Sequence, residues 1–147
     1  MGAKPEVEKQ VREVLDRWRD AYASKDVDAL LKTFSDDDDV LVFGTGADEV
    51  RLGQEQLREQ AQRDFDQSDS LELETGEIRI STSGDAAWAT MDSARVDADA
   101  GGQTMSLPIR ATILLMRGGD GWLIHHAHVS VPMAGQEEGE SFPTDAG

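Results

Sequence analysis

Apolar residues in the first third of the chain recur at helical spacing. From Pro5 to Ser24 they form one stripe of a helix, with charged residues on the remaining surface: Val7, Val11, Val14, Leu15, Trp18 and Tyr22. Asp26 is a residue type that caps helices, and it precedes a second, shorter helix with apolar positions up to Phe34. A third helix is predicted from apolar residues repeated every four positions, namely Leu57, Ala61 and Phe65.

After Ser68 the pattern changes to the alternation and turns of β-strands. Strands are predicted over 71–80 with a bulge at Gly76, over 86–97, over 104–116 and over 121–132, after a short buried strand at 40–43. Short turns join the later strands, which should therefore pair antiparallel. Helices followed by such strands predict one α+β domain over 5–133. The acidic tail, 134–147, has no period and is predicted to be disordered.

The last predicted strand, from Gly121 to Pro132, carries the candidate chemistry. Strict alternation places one set of residues on the same face: Trp122, Ile124, His126, His128 and Ser130. This set mixes apolar and polar residues, as the wall of a pocket does. We therefore expect His126 and His128 to point into a pocket, and His125 to lie on the opposite face, at a dimer surface.

The preceding strand predicts a homodimer. One of its faces is wholly apolar, with Ile109, Ala111, Ile113 and Leu115, whereas the other carries Arg110, Thr112, Leu114 and Met116. A sheet that is apolar on both sides needs cover on both sides. The helices can cover one side, and a second copy across a two-fold axis is expected to cover the other.

Composition narrows the functional classes. The chain has 147 residues, with 14 Lys+Arg against 30 Asp+Glu and a net charge of −16, which argues against nucleic-acid binding. It has no cysteine for a disulfide or thiolate site, and its apolar runs are too short to cross a membrane. A cytoplasmic protein is expected. The acidity also suggests a source with a salty cytoplasm, a halophile, although an ordinary acidic protein is the alternative.

Three segments resemble a known superfamily: Lys25-Asp-Val-Asp-Ala-Leu-Leu-Lys-Thr-Phe34, Phe43-Gly-Thr-Gly46 with Arg51-Leu-Gly53, and Gly121-Trp with His126-Ala-His128-Val-Ser130-Val-Pro132. Over about residues 7–132 the chain is similar to the nuclear transport factor 2-like superfamily, in its SnoaL-like branch. Its ending is also similar to the association domain of calmodulin-dependent kinases. The resemblance implies a cone-shaped roll in which a curved antiparallel sheet wraps around the long first helix. It also implies a ligand pocket between them and a homodimer through the convex face.

The superfamily hosts several chemistries, so the fold alone does not give a reaction. In ketosteroid isomerase a tyrosine on the first helix and a carboxylate on the first strand move the proton. The resemblance places these positions at Trp18 and near Val42 or Phe43, which cannot do so. That isomerase reaction is therefore not expected here, and no cofactor is implied.

The candidate site residues each have a structural alternative. His126 and His128 suit a general base or acid, but they would equally serve as hydrogen-bonded wall residues. As metal ligands they would need a third partner such as Asp92, so no metal is expected. Arg110 could hold a ligand carboxylate, or an internal acid such as Asp92 or Asp48. The remaining candidate ligand-binding residues are Trp18, Tyr22, Phe43, Trp88 and Ser130, with plain core packing the alternative for the aromatic ones.

The run Asp36–Asp39 is interpreted as a solvated loop, because calcium loops space their ligands and include a glycine turn. Three functional hypotheses remain open. The first is a small-molecule-binding domain whose ligand is apolar with one anionic or carbonyl end. The second is a cofactor-independent isomerase, cyclase or lyase with His126 or His128 as the base. The third is a homo-oligomerisation module.

Overall fold

Three helices precede most of the sheet in the structure, a computed structural model in which residues 2–143 are described. The helices are α1 (Pro5–Ala23), α2 (Val27–Leu31) and α3 (Gly53–Asp66). The strands are β1 (Leu41–Phe43), β2 (Val50–Leu52), β3 (Ser70–Glu74), β4 (Arg79–Ser83), β5 (Ala86–Ala100), β6 (Gln103–Gly118) and β7 (Gly121–Ser130).

The predicted helices form for the expected local reasons. Pro5 occupies the first turn of α1, where a missing N–H costs no hydrogen bond. The side chain of Asp26 caps α2 by accepting a hydrogen bond from the Ala29 N–H at 3.0 Å. The apolar stripes of α1 and α3 are buried as predicted. None of the helices in residues 2–143 is long and apolar enough to cross a membrane.

The strands form one curved, open sheet in the order β2-β1-β7-β6-β5-β3, with β4 also paired to β5. The predicted α+β class is thus confirmed. The sheet is mixed rather than wholly antiparallel, because β1 and β7 are parallel; a long stretch of chain separates these two strands, so no hairpin dictates their direction. Strand β2 was not predicted, since its three residues are too few to show alternation.

A further difference concerns the region from β3 to β5. The strand predicted over 71–80 is interrupted rather than bulged: β3 and β4 are separate strands that pair with different stretches of β5. Gly76 lies between them with φ +64°, a left-handed conformation that glycine adopts without a steric cost.

Residues 131–143 contain no helix or strand, and residues 144–147 of the predicted tail lie outside the described residues.

The sheet has an inner face that packs on the helices and an outer face that points away from them. Alternate residues of β5, β6 and β7 form the buried inner face, among them Ala89, Met91, Ile109, Ala111, Ile113, Leu115, Trp122 and Ile124. These side chains pack against the apolar stripe of α1. The core therefore lies between α1 and the inner face.

A β-bulge in β7 overturns the predicted distribution of side chains along that strand. Leu115 pairs with Ile124, but the next residue of β6, Leu114, pairs with His126, so His125 is an extra residue without a partner in β6. The extra residue reverses the alternation. Ile124 faces inward before the bulge and Ala127 faces inward after it, whereas His126 faces outward.

Candidate functional site

Five of the nine predicted site residues meet in one depression, which lies on the outer face. It has a volume of about 450 Å³, and its polar lining comes from β5, β6 and β7: Thr90, Asp92, Arg110, Thr112, His126, His128 and Ser130. The pairing of β6 with β7 brings these side chains together, since Arg110 is opposite Ser130 and Thr112 is opposite His128. We call this depression the outer recess.

The expectation that this pocket faces α1 is wrong. His126, His128 and Ser130 share a face with one another, as predicted, but not with Trp122 and Ile124. The bulge at His125 is the physical reason, because one inserted residue turns every later side chain to the other side of the sheet. Arg110 is likewise exposed on the outer face, while its neighbours Ile109 and Ala111 are buried.

Phe43 and Trp88 lie on the outer face too, next to the recess. Phe43 is opposite His128 in the parallel pair of β1 and β7, and the ring centroids of Phe43 and His128 are 5.0 Å apart. The Phe43 ring is also 6.0 Å from that of His126. Trp88 is opposite Leu114 on β6. The structure therefore places Phe43 beside the histidines, whereas β6 separates Trp88 from them on the same face.

Trp18 and Tyr22 do not join this group, because they lie on α1 and the sheet separates them from the recess. Trp18 is buried in the core. The Tyr22 ring packs edge-on against Phe65 of α3, with centroids 5.5 Å apart. Trp18 is therefore a core residue, which was the alternative to a role in ligand binding.

Arg110 has no carboxylate partner within residues 2–143, and both partners suggested from sequence are engaged elsewhere. Asp92 forms an ion pair with Arg79 at 3.0 Å. Asp48 forms one with Arg63 at 2.7 Å. Asp92 is thus bound to another guanidinium, and the Arg110 guanidinium lines the outer recess without a carboxylate partner among the described residues.

The two histidines of the recess are also without hydrogen-bond partners in the described chain. The contacts of their rings are with Phe43, and neither imidazole nitrogen of His126 or His128 bonds to another group of residues 2–143. Every buried side-chain nitrogen or oxygen in residues 2–143 has a hydrogen-bond partner. Because the imidazole nitrogens of His126 and His128 have none, they are exposed to solvent. They are available to a ligand from outside.

A polar network between α1, α3 and the β1–β2 loop was not predicted. The Tyr22 hydroxyl donates to Asp64 Oδ2 at 2.6 Å. The Gln60 amide donates to Asp64 Oδ1 at 2.7 Å and to Glu49 Oε1 at 2.9 Å. Arg51 Nε in turn donates to Gln60 Oε1 at 3.0 Å. The network fastens the loop that carries Glu49 to both long helices.

Burial dominates the electrostatics of this network. Desolvation, reinforced by the neighbouring Asp64 charge, raises the pKa of the Tyr22 phenol well above its ordinary value. Desolvation also raises the pKa of Asp64, although the hydrogen bonds from Tyr22 and Gln60 oppose the shift. A sequence signal did exist, because Gln60 and Asp64 flank the apolar stripe of α3 and are four residues apart.

The bulged residue His125 is also not where it was predicted. Instead of lying at an outer dimer surface, it contacts the loop that precedes β1. His125 Nε2 is 2.8 Å from Asp39 Oδ1, and His125 Nδ1 is 3.7 Å from Asp37 Oδ2. The aspartate run is thus a loop as interpreted, but two of its carboxylates lie beside an imidazole.

A second depression, of about 520 Å³, lies where α2 and α3 approach the start of β7. Arg58 and Asp28, which form an ion pair at 3.0 Å, both line it. Gln54 also lines it, and its amide donates to the backbone carbonyl of Ser35 at 2.9 Å. Lys32, Asp36 and Asp120 line it as well, and their side chains form no ion pair or hydrogen bond within residues 2–143, so this depression carries free charges of both signs.

Comparison with solved structures shows the same fold in proteins of low sequence identity. A nuclear transport factor 2-like superfamily protein from Salmonella enterica has a TM-score of 0.83 at 20% identity, covering 95% of this chain and 100% of that one. A candidate dehydratase of the NTF2-like family from Streptomyces avermitilis has a TM-score of 0.80 at 18% identity, covering 89% and 100%. A candidate calcium/calmodulin-dependent protein kinase II association domain from Xanthomonas campestris has a TM-score of 0.73 at 18% identity, covering 84% and 86%.

A comparison with functionally curated sequences finds no match. The family comparison is decisive, because the model of the SnoaL-like domain matches residues 11–134. This range agrees with the segments on which the resemblance was based. The chain belongs to the SnoaL-like domain family, within the nuclear transport factor 2-like fold.

Proposed function

We propose that this chain is a dimeric small-molecule-binding domain whose ligand has an anionic or carbonyl end held by Arg110, His126 and His128. Arg110 is the observation that carries the proposal. Its guanidinium has no carboxylate partner in residues 2–143, although the chain has 30 acidic residues against 14 Lys+Arg. A guanidinium left unpaired in so acidic a chain, next to two free imidazoles, favours an anion from outside.

The lining of the outer recess suits such a ligand. Arg110 presents planar N–H donors that match a carboxylate in two parallel hydrogen bonds. The hydroxyls of Thr112 and Ser130 are neutral donors on the adjoining strands. Phe43 flanks the histidines and offers an aromatic surface to the apolar part of the ligand. The proposal thus keeps Arg110, His126 and His128 as the binding residues, moves the site from the inner to the outer face, and leaves out Trp18 and Tyr22.

The dimer is proposed to form through the same face. Val50 and Leu52, which pair with Phe43 and Leu41, are each 51% exposed, and Met116 is 39% exposed. None of these side chains is charged, so they would add no repulsion between two copies that each carry a net charge of −16. A second copy would also cover the outer recess and shield its ligand from water. One similar structure is named an association domain, which is consistent with assembly.

Ligand-observed NMR titration tests the binding proposal. Benzoate is the probe, because it joins an apolar ring to a carboxylate, and benzamide is its neutral match. We expect benzoate to bind the wild-type chain and Arg110→Gln to bind it at least about tenfold more weakly, the value of one charge-assisted hydrogen bond. The control is Arg95→Gln, which removes an exposed arginine paired with Asp97.

Three outcomes would contradict the proposal. Benzoate would fail to bind, or benzamide would bind as well as benzoate, or Arg95→Gln would weaken binding as much as Arg110→Gln. The last result would mean that benzoate responds to overall charge rather than to the outer recess.

An acid–base enzyme is the second candidate, because both imidazoles of the recess are free and lie beside a cation. One of them would remove a proton next to a substrate carbonyl, and Arg110 would stabilise the oxyanion that forms. One similar structure is named a candidate dehydratase, a class that needs such a base. The test is deuterium exchange of acetoacetate in D2O, followed by NMR. The wild-type chain should exchange acetoacetate faster than buffer alone, and the double variant His126→Ala/His128→Ala should not. An unchanged rate in the double variant would eliminate both histidines as the base.

A further inference from the structure

The loop between α2 and β1 is attached to β7 at both of its ends. Before the loop, the Ser35 N–H donates to the Ile124 carbonyl at 2.8 Å, and the Ile124 N–H donates to the Thr33 carbonyl at 2.8 Å. After it, Leu41 is opposite His126 in the parallel pair of β1 and β7. These backbone bonds hold the aspartates of the loop next to the bulge at His125.

Three potential metal ligands converge at this place. One ligand atom from each of Asp37, Asp39 and His125 lies within 4.8 Å of the others. The His125 side chain is 19% exposed, whereas those of Asp37 and Asp39 are 63% and 82% exposed. The imidazole is therefore held by the fold, while the two carboxylates can move the short distance needed to close around an ion of about 2 Å bond length.

The imidazole distinguishes this cluster from an ordinary run of acidic residues. Carboxylates alone favour hard cations such as Mg²⁺ and Ca²⁺, whereas an imidazole nitrogen adds affinity for first-row transition metals. His125 is in this position only because the bulge takes it out of the ladder between β6 and β7. The ligands come from two separate segments, so a bound ion would link the loop to the sheet.

We propose that Asp37, Asp39 and His125 form a binding site for a divalent transition-metal ion, with Zn²⁺ the ion that best fits this donor set. Two carboxylates and one histidine supply three protein ligands, and water completes the tetrahedron. The bound ion also neutralises part of the repulsion within the run Asp36–Asp39. The proposal is independent of the outer recess, because none of its three ligands lines that recess.

Isothermal titration of the untagged full chain with Zn²⁺ tests the proposal, with Mg²⁺ as the comparison ion. We expect one Zn²⁺ per chain and binding at least about tenfold tighter than that of Mg²⁺. His125→Ala and Asp39→Asn should each weaken Zn²⁺ binding by more than about tenfold, since replacing even a residue that only hydrogen-bonds to a metal ligand has an effect of that size. Circular dichroism establishes that each variant is folded.

Asp38→Asn is the matched control, because it removes a neighbouring charge of the same run without removing a ligand. It should change the Zn²⁺ affinity by less than His125→Ala does. The site proposal is overturned if Zn²⁺ does not bind, if Mg²⁺ binds equally well, or if Asp38→Asn is as damaging as Asp39→Asn. Replacing Zn²⁺ by Co²⁺ adds a direct readout: strong visible absorption that is lost in His125→Ala supports a nitrogen ligand, and its absence in the wild-type chain contradicts one.

Discussion

The two faces of the sheet come from the same strands and yet differ in almost every property. The inner face consists of apolar side chains, such as Ala89, Met91 and Ile113, which are almost fully buried. The outer face combines Arg110, two histidines and hydroxyl groups with exposed apolar residues. The inner face therefore has the composition of a core, whereas the outer face has a mixture of polar and exposed apolar side chains.

The comparison shows that a small change of the backbone decides whether a residue of a strand joins the core or the outer recess. In the bulge of β7, His125 is the extra residue relative to β6. A second bulge lies in β5, where Asp92 and Ser93 are together opposite Arg110 of β6. Each insertion exchanges the inward and outward positions along the rest of its strand. The histidines are therefore available to a ligand because of one residue that forms no partner in the β6–β7 ladder.

The largest expected effect is loss of stability on the inner face. Ile113 has no exposed surface. Ile113→Ala should reduce the free energy of unfolding by about 2–5 kcal/mol, because it creates a cavity in the core. The outer neighbour Thr112→Ala should change it by no more than about 0.5 kcal/mol. Urea unfolding of both variants at one protein concentration gives the two values, and equal losses would contradict the division into faces.

The second effect concerns assembly. Val50→Glu/Leu52→Glu places two charges where the proposed dimer needs apolar contact, so sedimentation analysis should show a monomer in place of a dimer. Glu72→Gln/Glu74→Gln on β3 is the control and should leave the dimer intact. A monomeric wild-type chain would refute the dimer directly. A dimer that survives the two glutamates would show that a different surface is used.

The third effect is smaller and concerns the polar network next to the inner layer. Tyr22→Phe removes the hydroxyl that donates to Asp64 and should cost about 1–2 kcal/mol at neutral pH. Tyr22 is the only tyrosine, so the absorbance of tyrosinate reports its titration.

The pH dependence of the Tyr22 contribution follows from its raised pKa. Below about pH 10 the phenol is protonated in both states and its contribution to stability is complete. Above that value the unfolded chain releases the proton and the folded chain keeps it, so stability decreases as the pH rises. Tyr22→Phe should lack this part of the alkaline decrease. Tyrosinate that forms in the folded chain at the ordinary pKa would contradict the burial argument.

The smallest effect is that of salt. The net charge of −16 should make the folded chain more stable in KCl, because screening reduces self-repulsion. Thermal unfolding at low and at multimolar KCl measures the change. A melting temperature that does not rise with KCl would remove the hypothesis of a salty source and leave the acidity without that explanation.

Local pattern was sufficient for most of the fold. The stripe of α1 and the cap at Asp26 depend on side chains within a few positions of one another, and both are found as predicted. The three long strands also form, although the bulge at His125 reverses the predicted alternation of β7. Strand β2 was not predicted, because three residues are too few to show a period. The parallel pairing of β1 with β7 was not predicted either, because it depends on residues that are far apart in the chain.

The sequence by itself determined that this chain is an α+β domain of the SnoaL-like family and which residue types could carry its chemistry. It also singled out Arg110, Asp92, His126, His128 and Ser130, which line one depression in the structure. The tertiary structure alone decided the side of the sheet on which they lie, because the position of a bulge is set by hydrogen bonds to β6 rather than by any local preference of His125. For the same reason only the fold could bring His125 to Asp37 and Asp39, which precede it by more than eighty residues.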